Sequence, residues 1–256
     1  MLRLAEKVAI ITGASSGIGA ETCIQFAKNG AHIVAVGRNF ENLKQTQNSC
    51  MKINPNVKCL LIQADVTKDT KKIVDQTIAE FEKIDVLVNN AGILANGGIL
   101  DMDVEQLDTV MDVNLRSVFQ LTKLVLPHLI KSKGNVVNVS SVTGIRSFPY
   151  VLSYCVSKAA LDQFTKCVAL EMAQHNVRVN SVNPGTVVTE IHKRGGMDEK
   201  SYAEFLKHGR DTHAMGRVGN VSEVAPAIVF LASEEASFIT GALLSIDGGK
   251  GIMCPR

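Results

Sequence analysis

Short, uninterrupted apolar runs alternate with longer segments of helical periodicity through the first two thirds of the chain. The runs are Val8 to Thr12, His32 to Val36, Lys58 to Gln63, Val86 to Asn89, Val136 to Ser140 and Arg178 to Val182. They do not alternate apolar with polar residues, which is the pattern of parallel strands covered by helices on both faces. The apolar stretch from Met111 to Ile130 predicts one long helix. The stretch from about Ser153, with Leu161, Phe164, Val168 and Met172 at helical spacing, predicts another. Ser222 starts a further helix through Phe230 and Leu231, and Ala242 to Ile246 reads as a last strand. The order is that of a doubly wound α/β fold. No linker or repeat interrupts it, so residues 1–256 form one domain. From Ile191 to Arg217 the sequence is polar, glycine-interrupted and only patchily periodic, which marks about 186–217 as a binding lid.

Chemistry enters at the strand ends. The first strand runs into Thr12-Gly13-Ala14-Ser15-Ser16-Gly17-Ile18-Gly19, and a helix follows to a cap at Asn29-Gly30. Glycines let a backbone turn sharply and approach a phosphate, whose charge suits the amides of a helix N-terminus. The spacing is G-x-x-x-G-x-G and lacks the Lys and Ser/Thr of a P-loop, so it favours a dinucleotide over a structural turn. Where a dinucleotide site places an acid for the ribose 2′-hydroxyl, the second strand ends at Val36-Gly37-Arg38-Asn39. An arginine fork with no carboxylate before Glu41 favours NADP(H), with NAD(H) as the alternative if Arg38 is only a surface charge. Ala64-Asp65-Val66 and Asn89-Asn90-Ala91-Gly92 fall at later strand ends, where open sheets bind ligands. Asn89 and Asn90 either contact a ligand or tie loops together.

Ser141 lies thirteen residues before Tyr154, and Lys158 falls four residues beyond it. On a helix Tyr154 and Lys158 share a face. A free phenol has a pKa of about 10, which a neighbouring ammonium lowers. A hydroxyl such as Ser141 then holds a carbonyl oxygen while the tyrosine protonates it. Asn114, set among Val113, Leu115 and Val118, reads in isolation as an amide tying down local backbone. Val142, Ile145, Phe148, Val187, Ile191, Phe205, Leu206 and Met215 are candidates for an apolar pocket.

Composition removes other classes. The 27 Lys and Arg nearly balance the 25 Asp and Glu, which gives no field for nucleic acid or anionic membrane. The six cysteines show no zinc-like spacing, so no metal is expected, and their apolar contexts predict buried free thiols. Val8-Ala9-Ile10-Ile11 leaves no room for a signal peptide, and no apolar run reaches the roughly 18 residues of a membrane span. A cytoplasmic protein is expected.

Taken together these motifs, with Tyr154-Cys155-Val156-Ser157-Lys158, Asn183-Pro184-Gly185 and Asp247-Gly248-Gly249, resemble the short-chain dehydrogenases/reductases over nearly the whole chain. Members similar to 3-oxoacyl-ACP reductases and hydroxysteroid dehydrogenases come nearest. The resemblance implies a Rossmann-type sheet of seven parallel strands in three α/β/α layers, a nicotinamide nucleotide, and hydride transfer to or from a carbonyl carbon. It implies Tyr154 as acid/base, Ser141 orienting the substrate oxygen, Lys158 lowering the tyrosine pKa and holding the nicotinamide ribose, and Asn114 positioning a water beside it. Gly13, Ser15, Gly17, Ile18 and Gly19 are implied around the pyrophosphate and adenosine ribose, with Arg38 on a 2′-phosphate. Asp65 and Val66 are implied at adenine, Asn90 at the nearer ribose, and Val187 and Thr189 at the nicotinamide amide. Ser16 stands where many NADP-preferring relatives carry a basic residue, so Arg38 alone carries the preference. A homotetramer or homodimer is implied as well. The expected activity is carbonyl reductase, with a ketosteroid or ecdysteroid, a 3-oxoacyl thioester or a terpenoid alcohol as candidate substrates. The alternative is an NADP(H)-binding sensor or scaffold without turnover.

Overall fold

The computed structural model describes residues 2–254. The chain runs β1 (Val8–Thr12), α1 (Gly17–Lys28), β2 (His32–Gly37), α2 (Phe40–Ile53), β3 (Cys59–Gln63), α3 (Thr70–Phe81) and β4 (Val86–Asn89). It continues through α4 (Val104–Met111), α5 (Ser117–Ser132), β5 (Asn135–Val139), α6 (Val142–Ile145), α7 (Leu152–Met172) and β6 (Arg178–Pro184). It closes with α8 (Ile191–Arg194), α9 (Glu199–Thr212), α10 (Val221–Ala232) and β7 (Leu243–Ile246). The strands pair in parallel in the order β3-β2-β1-β4-β5-β6-β7, a seven-stranded sheet. Strand order reverses between β1 and β4, and a crevice opens beyond their carboxyl ends.

Both faces of the sheet are buried, which is why its strands read as continuous apolar runs. Ala9 and Ile11 of β1 enter a core with Phe26, Leu43, Val224 and Ile228, which belongs to the α1, α2 and α10 side. Val8 and Ile10 point the other way, to Ile73, Leu121, Val125 and Val168 under α3, α5 and α7. Three layers result, α/β/α. No helix among the described residues is long and apolar enough to cross a membrane.

Three expectations need correction. The helix expected from Met111 to Ile130 is present but not uniform, and it starts earlier: α4 runs into Asp112–Arg116, which take a π-helical turn, and α5 follows directly from Ser117. The widened turn carries Asn114, whose side chain is pinned to the Ile93 backbone, and such turns cluster at functional sites. The segment expected to be patchily periodic contains the regular helix α9, capped by Asp198 accepting from Ser201 N at 2.9 Å. Its buried Gly209 is packed against Val218, so a residue that reads as an interruption serves a close contact. The thiols are not uniformly buried: Cys23 and Cys50 are, whereas Cys167 and Cys254 are exposed.

Candidate active site

A cleft of about 910 Å³ runs along the carboxyl ends of the central strands. Its first half is built by the glycine turn after β1. Gly13 and Gly17 have φ of +66° and +58°, a region costly for side-chain-bearing residues. A side chain at Gly19 would collide with the Gly13 carbonyl and the Asn90 amide. Asn90 holds the turn by donating from Nδ2 to the Thr12 and Gly13 carbonyls, at 2.8 and 3.3 Å. Thr12 Oγ1 in turn accepts from the Asn90 and Ala91 amides. The Ser16 side chain makes no cap hydrogen bond, so the first amides of α1 remain free toward the cleft. This cradle fits a diphosphate: its wall is backbone, and its free groups are donors. Thr189 faces it, near enough that a β-carbon on Gly17 would lie 3.2 Å from the threonine methyl.

At the outer end the exposed Arg38 lines the cleft beside Asn39, and Asp65 closes a turn by accepting from Thr67 N and Oγ1. Those two bonds, with a smaller pull from Arg38, hold the Asp65 carboxyl below its usual range. Val66, Ser15, Ile18 and Val187 also line the cleft. Of the cofactor candidates only Gly19 lies behind the wall, where it sets the shape of the turn. Asn89 takes the structural role left open: its buried amide donates to Asn138 Oδ1 and Thr122 Oγ1 at 2.9 and 3.1 Å.

The second half of the cleft gathers Ser141, Tyr154 and Lys158. Ser141 follows β5 as the N-cap of α6, with its Oγ accepting from Thr143 N at 3.1 Å. Tyr154 and Lys158 share the buried face of α7 with Ser157, Leu161, Asp162 and Thr165. Lys158 Nζ donates to Val139 O at 2.8 Å and lies 5.6 Å from the Tyr154 ring centroid. Asn114 sits one layer deeper. Its Nδ2 donates to Ile93 O and Ser157 Oγ, and its Oδ1 accepts from Ile93 N. Asn114 Oδ1 and Lys158 Nζ both face Gly92, at 3.3 and 3.6 Å from where a β-carbon would stand.

Burial governs the charge states here. It pushes the Tyr154 phenol up to about 12, with the Ser141 hydroxyl pulling the other way and Cys155 adding to the rise. It pushes Lys158 down to about 8 against the opposing pull of Asp162. Loss of solvent is the largest influence on the phenol in this cleft, above the downward pull of the Ser141 hydroxyl.

The substrate-facing end is closed by α8 and α9. Tyr202 of α9 ties them to the strand side, its hydroxyl donating to Thr189 O at 2.9 Å. Ile191, Phe205, Phe148 and Val142 line this end as expected, while Ile145, Leu206 and Met215 lie outside the lining. Ile93, Leu94, Val113, Val151, His192 and Lys250 line it as well. Lys250 was legible only as the residue after a glycine pair, and nothing in its spacing announced a cleft.

A family model described as enoyl-(acyl carrier protein) reductase matches residues 13–250. The chain is 40% identical to 3-oxoacyl-[acyl-carrier-protein] reductase FabG of Thermotoga maritima, over 97% of this chain and 99% of that one. It is 38% identical to L-xylulose reductase of Caenorhabditis elegans, over 95% of each. A solved short-chain dehydrogenase/reductase of Caenorhabditis elegans, crystallised with cofactor, superposes with a TM-score of 0.91 at 36% identity. That match covers 98% of this chain and 97% of the other.

Proposed function

Because the chain belongs to the short-chain dehydrogenase/reductase family and is an oxidoreductase acting on CH–OH and ketone groups, we propose that it is an NADP(H)-dependent carbonyl reductase. The substrate is a ketone with an apolar portion, interconverted with its secondary alcohol. The observation that carries this is the convergence of Ser141, Tyr154 and Lys158 on one cleft with the free amides of the glycine turn, backed by Asn114. Gly13, Ser15, Gly17 and Ile18 receive the diphosphate, Asp65 and Val66 border the adenine, and Asn90 the nearer ribose. Arg38 meets the 2′-phosphate, and Val187 and Thr189 meet the nicotinamide amide. When bound, the nicotinamide supplies the hydride.

Everything else falls to the chain's own side chains. Ser141 donates to the substrate oxygen and fixes it against the phenol. Tyr154, protonated at neutral pH, gives its proton to that oxygen as negative charge develops there. Lys158 balances the charge left on the phenol and holds the ribose, while Asn114 orients the groups that return a proton. The apolar walls exclude water from this exchange. The segment from Thr186 to Arg217 serves as the lid.

Fluorescence titration with NADPH and NADH, followed by turnover of acyl thioester, steroid, terpenoid and short oxo-acid ketones, tests this reading. Tighter NADPH binding with reduction of at least one ketone, lost in Tyr154→Phe while nucleotide affinity is kept, is expected. Nucleotide binding with no turnover, or an active Tyr154→Phe, overturns it.

A further inference from the structure

The substrate end of the cleft holds a cation that the chemistry above leaves without a task. Lys250 follows the Asp247-Gly248-Gly249 turn beyond β7, and its half-buried side chain lines the cleft. Its Nζ donates to Thr186 Oγ1 at 2.9 Å and lies 5.3 Å from the centroid of the Phe148 ring. Among the described residues no carboxylate forms a salt bridge with it.

The charged groups around it leave this end positive. Asp247 pulls on Lys250 less than burial and Arg146 push the other way, and its carboxylate is engaged in its own turn, Oδ1 accepting from Gly249 N and Oδ2 from Gly251 N. Glu190 at the rim is 3.8 Å from Lys193. Arg146 adds a second cation while fixing the segment, NH1 donating to the Lys250 and Met253 carbonyls at 3.0 and 2.6 Å. Burial, reinforced by Lys250, pushes His192 down to about 4, so a neutral imidazole faces the cleft. Arg194 stands exposed at the mouth.

A half-buried ammonium satisfied by one hydroxyl has lost hydration that an anionic partner restores. The segment also passes close to the reacting groups. A β-carbon on Gly251 would lie 3.4 Å from a methyl of Val142, the residue after Ser141.

We propose that Lys250 is a specificity-determining residue whose ammonium receives a carboxylate of the substrate, making the substrate a short oxo acid or the matching hydroxy acid. The carboxylate pairs with Lys250 while the carbonyl oxygen meets Ser141 and Tyr154, and Phe148, Ile191 and Phe205 enclose the carbon chain. One ammonium beside a neutral imidazole suits a monoanion, whereas a phosphate dianion draws guanidinium forks or rows of amides. The assignment rests on the oxidoreductase reading, whose site it specifies.

The test reads binding apart from turnover. Tyr154→Phe loaded with NADPH is titrated with 3-oxohexanoate, its methyl ester, its N-acetylcysteamine thioester and dihydroxyacetone phosphate, following nicotinamide fluorescence. The acid is expected to bind at least about tenfold tighter than the ester, as a charge-assisted hydrogen bond allows, with the advantage shrinking in salt. Adding Lys250→Met removes the advantage and leaves NADPH and ester binding unchanged, while Lys250→Arg retains it. Equal binding of acid and ester, binding of none, or a preference for the thioester or the phosphate overturns the assignment. So does a Lys250→Met that weakens acid and ester alike. Acid-selective binding with no reduction by the Tyr154 enzyme would instead overturn the reductase reading alone.

Discussion

Asp162 offers a direct test of how the site is held. It lies one turn beyond Lys158 on α7 and is 4% exposed. Its Oδ2 accepts from Asn183 Nδ2 at 2.8 Å, and the same amide donates to Ser141 O at 2.9 Å. Ser181 Oγ reaches Oδ1 at 3.3 Å. The carboxylate thus anchors the strand end that carries Ser141 and supports the charge on Lys158. Asp162→Ala leaves a buried Asn183 N–H unpaired, which costs about 1–3 kcal/mol. At roughly 2–4 °C per kcal/mol for a chain of this size, the melting temperature falls by about 4–8 °C for a 2 kcal/mol loss. Asp162→Asn keeps the volume and one acceptor but removes the charge, so its stability loss is smaller. Its mark is in the pH profile. Lys158 already loses its proton near 8, and without Asp162 it does so at lower pH, moving the alkaline fall in ketone reduction downward. Thermal unfolding followed by circular dichroism and kcat/KM against pH provide the readouts. An Asp162→Ala protein melting with the wild type, or an Asp162→Asn profile superposing on the wild-type curve, would show that Asp162 neither anchors the strand end nor supports the charge on Lys158.

Ketone reduction by the wild type is expected to be flat through neutral pH and to fall as Lys158 deprotonates near 8, because the phenol keeps its proton to about 12. A rate climbing through pH 8 to 9 contradicts this. Arg38→Asp replaces an exposed guanidinium by a carboxylate at the position proposed for the 2′-phosphate. The NADPH/NADH ratio of kcat/KM should fall at least about tenfold, and an unchanged ratio would show that Arg38 is only a surface charge.

The sheet was legible because its strands are buried on both faces: Val8 and Ile10 serve one core, Ala9 and Ile11 the other, and the run shows no gap. Strand ends shifted by a residue or two, since pairing with a neighbour and not apolarity ends a strand. Cys59 begins β3 where Lys58 was expected. That Tyr154 and Lys158 lie side by side was legible because helical spacing fixes which residues share the face of α7. The π-turn at Asn114 was not, for it accompanies a contact with Ile93 that is distant in sequence and silent in periodicity. The helix α9 was hidden by Gly209 and by its polar outer face, although Asp198 followed by Ser201 carried the cap signal. The place of Lys250 in the cleft was out of reach, because it depends on where a carboxyl-terminal segment folds back beside Val142.

Tyr154 and Lys158 suggest, on spacing alone, an ammonium that readies a phenol by lowering its pKa. In the folded chain burial acts on both groups and favours their neutral forms, at about 12 and about 8. The phenol therefore starts as a firm holder of its proton, and Lys158 Nζ spends one donor on Val139 O. Help from the ammonium grows only as the proton leaves and negative charge appears on the phenol, inside walls that strengthen electrostatic interactions. An interaction that is weak in the ground state and strong as charge develops lowers the barrier without tightening substrate binding. Lys158→Met should then reduce kcat for the ketone by at least about a hundredfold, the loss of a positioned charge, with its KM little changed. A variant that raises KM at undiminished kcat would mean that Lys158 acts on binding alone.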